Sequence, residues 1–203
     1  MARRWLAVWL VALGALVSCA TRAAEPALES GDLVFETSSS AQSSAIQWAT
    51  ASRWSHVGIV EVSDRGDVSV IEALRVVTRT PWRAWQRRAR RGGDVLVLRP
   101  KGLAADRRAA AAAAARGFLG RPYDPRFGWD DDRIYCSELV VKAYERGAGV
   151  SLGKRERLGD LRLLGIEKAA EQRWGGPVPK DLVLVTPASL AEDGRLDPVA
   201  GRR

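Results

Sequence analysis

The sequence predicts an α+β fold, and three observations support that class. The chain of 203 residues suits one domain, although two small ones are possible, and at 46% hydrophobic residues it can bury a core. Segments with strand and helix character are interleaved along it. Two neighbouring strands are separated by only a short turn at 63–67, so they are expected to form an antiparallel hairpin rather than part of a parallel sheet.

The first 18 residues have the features of a secretory signal peptide. Two arginines precede an uncharged apolar stretch from Trp5 to Val17, which is short for a membrane span. The stretch ends in Leu16-Val17-Ser18-Cys19-Ala20, which resembles a bacterial lipobox. We therefore expect Cys19 to become the lipid-modified mature N-terminus. Ordinary cleavage after Ala20 or Ala23 is the alternative.

The N-terminal pattern also predicts where the protein resides. Ala20 does not resemble the Asp signal that retains lipoproteins in the inner membrane. We expect a cell-envelope protein anchored by its lipid at the periplasmic face of the outer membrane, with a secreted or periplasmic protein as the alternative. Residues 19–30 are expected to be a linker. An exported chain is not expected to bind nucleic acid.

Composition excludes several kinds of site. One His and two Cys cannot supply a four-ligand zinc centre of the Cys/His type, nor a disulfide scaffold. No Gly-x-Gly-x-x-Gly follows a strand, so we expect no nucleotide site, no cofactor and no metal. Part of the net charge of +8 lies in Arg87-Arg88-Ala89-Arg90-Arg91. We interpret this run as a solvated helix end, with contact to anionic lipid headgroups as the alternative.

The elements follow from local signals in chain order. Short apolar or alternating runs predict strands. The proline at 81 marks the beginning of one helix, an alanine-rich stretch from 109 the interior of another, and the glycine at 147 the end of a third. Strands are predicted at 31–36, 56–62, 68–73, 94–100 and 182–185. Helices are predicted around 46–48, from 81, and at 103–118, 136–146 and 161–172. Residues 120–133 are expected to form a loop.

The hairpin is the most informative stretch because it relates His56 to Glu72. A three-residue loop at 64–66, with a left-handed glycine, pairs Ser63 with Asp67 and therefore Gly58 with Glu72. His56 is then the diagonal neighbour of Glu72 on one sheet face. A two-residue loop would shift the register and separate the two side chains. Glu72 lies among apolar residues, where a carboxylate needs a partner.

Cys136 is the third candidate. Once Cys19 is acylated or removed, Cys136 is a lone thiol in an oxidising compartment. It occupies the first turn of a predicted helix, where free N–H groups and the helix dipole stabilise a thiolate or an oxyanion. An imidazole beside the thiol could accept its proton, and a carboxylate on the other ring nitrogen could orient the ring. The residues therefore permit a Cys136-His56-Glu72 triad, although an inert cysteine and a structural His–Glu pair are the alternatives.

Five strings in order resemble the NlpC-type papain-like amidases, in the circularly permuted branch that includes the YiiX/YebB-like hydrolases. They cover roughly Ser30 to Gly149, and the cysteine helix comes last, which is the permuted order. The strings are Gly31-Asp32-Leu33-Val34-Phe35, Ser55-His56-Val57-Gly58-Ile59-Val60, Val70-Ile71-Glu72-Ala73, Gly120-Arg121-Pro122-Tyr123-Asp124 and Tyr135-Cys136-Ser137-Glu138-Leu139-Val140.

The resemblance implies a papain-like fold with a small antiparallel sheet or barrel packed against helices. We assign this domain to residues 31–190 and a C-terminal tail to residues 191–203. The family implies Cys136 as nucleophile, His56 as base and Glu72 as orienting residue. Tyr123 matches a family position near the site, and Tyr123 and Tyr135 are expected to support the site or contact substrate.

The expected activity is a cysteine hydrolase that cleaves an amide or ester through a thioester on Cys136. The substrate is either a cell-wall type peptide or an acyl lipid, and the sequence leaves this open, as it does the oligomeric state. An acyltransferase of the same fold and a non-catalytic binding lipoprotein are the alternatives. Other candidates for substrate contact, each of which could instead be packing or a solvated loop, are Trp48, Trp54, Trp82, Trp85, Trp129 and Asp130-Asp131-Asp132.

Overall fold

An antiparallel sheet of six strands organises the residues that the computed structural model describes, which are 27–38 and 40–201. The strands follow the order β4-β3-β2-β1-β5-β8. Their bounds are β1 Leu33–Glu36, β2 His56–Val62, β3 Val68–Ala73, β4 Val77–Pro81, β5 Val95–Pro100 and β8 Leu196–Ala200. The signal peptide and Cys19 lie outside the described residues.

Helices connect and cover the strands. Their bounds are α1 Ala41–Thr50, α2 Trp82–Gly92, α3 Ala105–Arg116, α4 Cys136–Ala148, α5 Glu167–Trp174 and α6 Pro187–Ala191. A separate two-stranded ribbon consists of β6 Arg155–Arg157 and β7 Val183–Val185. The α+β class and the antiparallel sheet packed against helices are thus confirmed.

Both faces of the sheet are buried, against different helices. Alternate residues of the strands, such as Phe35 and Ile59, join the larger core with α3 and α4. The intervening residues, such as Val60 and Val70, pack with Trp82 of α2 on the opposite face. The central strands are therefore apolar on both sides, and a polar side chain among them needs a specific partner.

The C-terminal segment and the end of the linker are part of this fold. Residues 191–203 were expected to be a tail, but Leu196–Ala200 pair with β5 and complete one edge of the sheet. The linker expected at 19–30 is already anchored at its end, where Glu29 forms ion pairs with Arg99 and Arg108. In the segment that the structure describes, no helix has both the length and the apolar character required to cross a membrane.

The main differences from the sequence-based expectation are three additional strands and the bounds of α4 and α5. Strands β4, β6 and β8 were not predicted, because they are short or contain charged residues and proline that obscure the period of two. The helix expected from 161 begins only at Glu167. The cysteine helix does not end at Gly147 but continues to Ala148, with Gly149 in the left-handed conformation as its cap.

Gly147 instead allows α3 and α4 to approach each other closely. A Cβ atom at this position would overlap the backbone carbonyl of Ala110 in α3. Intrinsic helix propensity alone would favour Gly147→Ala by up to about 1 kcal/mol. We expect the steric overlap to dominate, so that this substitution lowers the free energy of unfolding by about 1–3 kcal/mol in urea denaturation. Gly176→Ala, where a Cβ meets no atom within 4 Å, is the control; equal effects of both substitutions would contradict this interpretation.

Candidate active site

The hairpin of β2 and β3 has the register predicted from its turn. Val62 pairs with Val68 and Ile59 with Ile71, and the Ser63 N–H donates to the Asp67 carbonyl. Gly58 therefore lies beside Glu72, and a Cβ on Gly58 would approach Glu72 Cβ to 3.2 Å and Val70 Cγ1 to 2.5 Å. The missing side chain leaves the space through which the His56 ring reaches Glu72.

His56 and Glu72 are joined directly. His56 Nε2 lies 2.8 Å from Glu72 Oε2, and the Glu72 side chain is fully buried. Since Nε2 faces Glu72, the other ring nitrogen, Nδ1, is left for a second partner. His56 is the first residue of β2, at the end of the strand, so its ring can contact the sheet on one side and a helix on the other.

That second partner is Cys136, the first residue of α4. Cys136 is 4% exposed, and its sulfur lies 3.8 Å from the Ser137 hydroxyl. The thiol is also close enough to His56 and to the Val57 backbone for both to lower its pKa. The N–H of the preceding residue, Tyr135, donates to the Glu138 carboxylate at 3.2 Å, which satisfies a backbone donor at the beginning of the helix. The structure thus brings Cys136, His56 and Glu72 together from three elements.

Electrostatics in the cluster favour its charged form. Although burial opposes ionisation, the hydrogen bond and charge of His56 lower the pKa of the Cys136 thiol below its usual value. Burial also opposes the imidazolium, but the hydrogen bonds to Cys136 and Glu72 raise the pKa of His56 to about 10. Burial likewise acts against the Glu72 carboxylate, yet His56 and Arg88 lower the pKa of Glu72 to about 2. A thiolate and an imidazolium are therefore favoured over a wide pH range.

Arg88 and Thr80 also bind the Glu72 carboxylate, in addition to His56. Arg88 Nη2 donates to Glu72 Oε2 at 2.6 Å, and the Thr80 hydroxyl donates to Oε1 at 2.6 Å. Arg88 also contacts Glu36 Oε1 at 3.3 Å. Arg88 belongs to the basic run that we interpreted as a solvated helix end, whereas its guanidinium points to a buried carboxylate. The helical position of Arg88 gave no signal for this contact, because Glu72 is 16 residues away on another element.

Arg88→Gln is expected to lower kcat/KM by about tenfold, because it removes a charge-assisted hydrogen bond that orients Glu72. The measurement is steady-state kinetics across pH, since a less firmly held carboxylate should also shift the acidic limb of the profile upward. Arg87→Gln is the matched control, because Arg87 is an exposed neighbour in the same run. A similar loss in both variants would show that only the surface charge matters.

Tyr123 and Tyr135 lie at the site in different roles. The Tyr123 hydroxyl accepts from Gln42 Nε2 at 3.0 Å, which leaves its own proton free to be donated elsewhere. The Tyr135 hydroxyl accepts from the Val185 N–H at 3.1 Å and ties β7 to the start of α4. Burial raises the pKa of both phenols well above the usual value. Gln42 was missed by the sequence analysis, since an amide in a Ser-rich helix carries no distinctive pattern.

An apolar pocket opens onto Cys136. It encloses about 260 Å³, far more than the roughly 10–15 Å³ that one water requires, so it can hold an organic group. One wall is α1, and the opposite wall is the segment from 158 through α5. The lining residues with apolar side chains include Ala45, Ile46, Leu158, Leu161, Leu163, Ile166, Ala169, Trp174 and Leu184.

The other aromatic and acidic candidates lie elsewhere. None of the five tryptophans singled out from the sequence lines the pocket, whereas Trp174 does. Trp54, Trp82 and Trp85 are buried in the cores, and Trp48 is exposed. In the acidic loop, Asp131 forms ion pairs with Lys142 and Arg146, so its carboxylate already has cationic partners within the chain.

Comparisons with known proteins agree with this architecture. Residues 27–200 match the family model described as "Permuted papain-like amidase enzyme, YaeF/YiiX, C92 family". The uncharacterised protein YiiX of Escherichia coli K12 is 33% identical over 193 residues, which cover 94% of each chain. A crystal structure described as that of metalloprotein yiiX from Escherichia coli O157:H7 has a TM-score of 0.80 and 34% identity, and covers 86% of this chain and 97% of the other.

Across residues 27–38 and 40–201, no group of three or more His, Cys, Asp or Glu side chains is placed to hold a metal ion. A cysteine at a helix N-terminus, a histidine strand and the permuted order agree with the family match, and the chain belongs to the permuted papain-like amidases of the YaeF/YiiX family, which are cysteine hydrolase-type enzymes.

Proposed function

We propose that this protein hydrolyses an amide or ester of an acyl group through a Cys136-His56-Glu72 triad. The observation that carries the proposal is the apolar pocket that opens directly at Cys136. A pocket walled by alanine, leucine and isoleucine suits an alkyl chain better than a polar cell-wall peptide. An acyl lipid is therefore the proposed substrate class, and a cell-wall type peptide is the alternative.

The proposed reaction has two steps. The Cys136 thiolate attacks the carbonyl carbon, and the tetrahedral intermediate collapses as the bond to the amine or alcohol breaks. The His56 imidazolium donates its proton to that leaving group, which leaves a thioester on Cys136. His56 then takes a proton from water as the water oxygen attacks the thioester carbonyl. The C–S bond breaks, the fatty acid leaves, and the Cys136 thiolate and the His56 imidazolium are regenerated.

The surrounding residues would support these steps. Glu72 keeps the His56 ring oriented and stabilises its positive charge. The backbone at Cys136, in the first turn of α4, provides a donor for the oxyanion. Tyr123 lines the same pocket, and because Gln42 donates to its oxygen, its hydroxyl proton can point to the substrate. Tyr135 supports the site by fixing β7 against α4.

Mass spectrometry of the protein mixed with candidate substrates tests this function. A decanoyl amide or ester is expected to add one decanoyl group to Cys136, and hydroxylamine should remove it because it is a thioester. Acylation by a muropeptide but not by the decanoyl compounds would overturn the lipid proposal. If no candidate substrate adds an acyl group to Cys136, covalent catalysis is overturned and a binding protein is favoured. Adding an amine or alcohol acceptor distinguishes an acyltransferase, which would transfer the acyl group to it instead of to water.

The proposed location follows from Cys19. A lipid-modified Cys19 would hold the enzyme at a membrane, within reach of lipid substrates. Intact mass of the mature protein is expected to show a chain that begins at Cys19 and carries the lipid. A chain that begins at residue 21 or 24 would instead support the secreted or periplasmic alternative.

A further inference from the structure

One cation lies in the otherwise uncharged wall of the pocket. Arg173 is the single charged side chain among the described residues that line it. It belongs to the last turn of α5, and the pocket-lining residues of that helix and its start, 166, 169, 170, 173 and 174, follow helical spacing along one face. The face is therefore apolar except for the guanidinium in its last turn.

Arg173 is held in place without a carboxylate partner. Its guanidinium carbon lies over the Phe127 ring, 5.2 Å from the centroid, and its Nη1 donates to the Pro125 carbonyl at 3.1 Å. None of the ion pairs within the described part of the chain includes it. Asp124, an acidic residue of the loop that holds Pro125 and Phe127, uses its carboxylate to accept backbone N–H groups of Arg126 and Gly128.

This arrangement leaves most of the Arg173 donors available. A guanidinium has five N–H groups in a planar fork that matches a carboxylate or phosphate, and one internal bond occupies only one of them. The side chain is half-buried, so its remaining donors are open to water and to a ligand. Stacking on Phe127 and the bond to Pro125 restrict the direction of the fork.

Arg173 also lies at the end of the pocket near the reacting groups. The Phe127 ring under its guanidinium contacts the Tyr135 ring, with centroids 5.3 Å apart, and Tyr135 directly precedes Cys136. Burial raises the pKa of the Tyr123 phenol. The charge of Cys136 raises this pKa further and the charge of Arg173 lowers it, so both groups lie close to Tyr123. An anion bound by Arg173 would therefore sit near the scissile bond rather than at the far end of the alkyl chain.

We propose that Arg173 binds an anionic oxygen group, a carboxylate or a phosphate, that the substrate carries close to its scissile amide or ester. This inference rests on the proposed function and narrows its substrate class to amphiphiles with an apolar acyl chain and an anionic head. N-acyl amino acids and acyl phosphoethanolamines represent the two sources of that anion.

The test compares three decanoyl amides that differ only in the head: N-decanoylglycine, N-decanoyl-O-phosphoethanolamine and the neutral N-decanoylethanolamine. The wild type is expected to prefer an anionic amide, and Arg173→Gln should raise its KM by about 10- to 100-fold with little change in kcat or in the kinetics of the neutral amide. Arg173→Lys, which keeps the charge, should recover part of the loss. The two anionic amides distinguish a carboxylate from a phosphate.

Arg126→Gln is the matched control, because Arg126 is an exposed arginine two residues from Asp124 and does not line the pocket. Equal losses on the neutral and anionic amides in Arg173→Gln would show a structural role and overturn the proposal, as would a wild type that does not discriminate among the heads. If no amide acylates Cys136, the proposed function fails. Calorimetry then still tests Arg173, because it compares the affinities of the three amides for the wild type and for Arg173→Gln.

Discussion

Cys136→Ala is expected to reduce turnover of any substrate to the background rate, a loss of about 10⁶-fold in kcat by analogy with other triad nucleophiles. The sulfur forms the bond to the acyl group in the proposed mechanism, and no other described residue at the site carries a thiol. Substrate binding should persist, since the apolar walls are unchanged. The measurement is the steady-state rate together with the loss of the acyl adduct in intact mass spectra.

A stable fold must accompany that loss for it to be interpreted. Cys136 is packed in the larger core, but the change to alanine removes one atom at the first position of a helix, so the melting temperature should fall only slightly. Glu145→Ala, farther along the same helix and outside the pocket lining, is the control and should retain most activity. Residual turnover in Cys136→Ala well above background would exclude Cys136 as the nucleophile.

His56→Gln is expected to give the second largest effect, through the ionisation of Cys136. In the wild type the thiolate is present above the lowered pKa of Cys136, and the imidazolium is present below the raised pKa of His56 of about 10. Without the imidazole, a thiol of ordinary pKa near 8.5 is only about 3% ionised at pH 7, and burial reduces this further. Alkylation of Cys136 by iodoacetamide at pH 7 should slow by roughly 30-fold or more.

The pH profile separates this electrostatic effect from a change in access. The wild-type alkylation rate should be flat through neutral pH and fall on acidification, whereas His56→Gln should still be rising above pH 8. Turnover needs the imidazolium to protonate the leaving group, so wild-type activity should decline as the pH approaches 10. Identical alkylation profiles in the two proteins would show that His56 does not control the thiol.

The meeting of His56 and Glu72 could be predicted from the sequence because it depends on local geometry. The length of the 64–66 turn fixes the register of the two strands, and the register fixes which side chains face each other. The placement of Cys136 at a helix N-terminus is likewise local, since the apolar spacing after it defines the helix. Only the approach of α4 to His56 is a long-range contact, and there the family resemblance, not periodicity, gave the expectation.

Other parts of the site depend on contacts that no local pattern encodes. Arg88 lies in a basic run that is typical of a solvent-exposed helix, and only the packing of α2 on the sheet directs it to Glu72. The pocket wall from 158 to 174 is formed by short, irregular segments whose apolar residues have no clear period. For the same reason Trp54, Trp82 and Trp85, which are core residues, were candidates for substrate contact, whereas Trp174, which lines the pocket, was not.

Both ends of the described domain contact β5, and this has a consequence for connectivity. Arg99 of this strand binds Glu29 near the beginning of the domain and is paired in register with Asp197 near its end. A short peptide could therefore join these two ends of the domain, and new termini could be opened between residues 126 and 133, ahead of the cysteine helix and beyond the residues that bond to β4. Such a rearranged gene would encode the helix first and the histidine strand later, which is the order of the unpermuted relatives, while keeping the pairing of the six sheet strands.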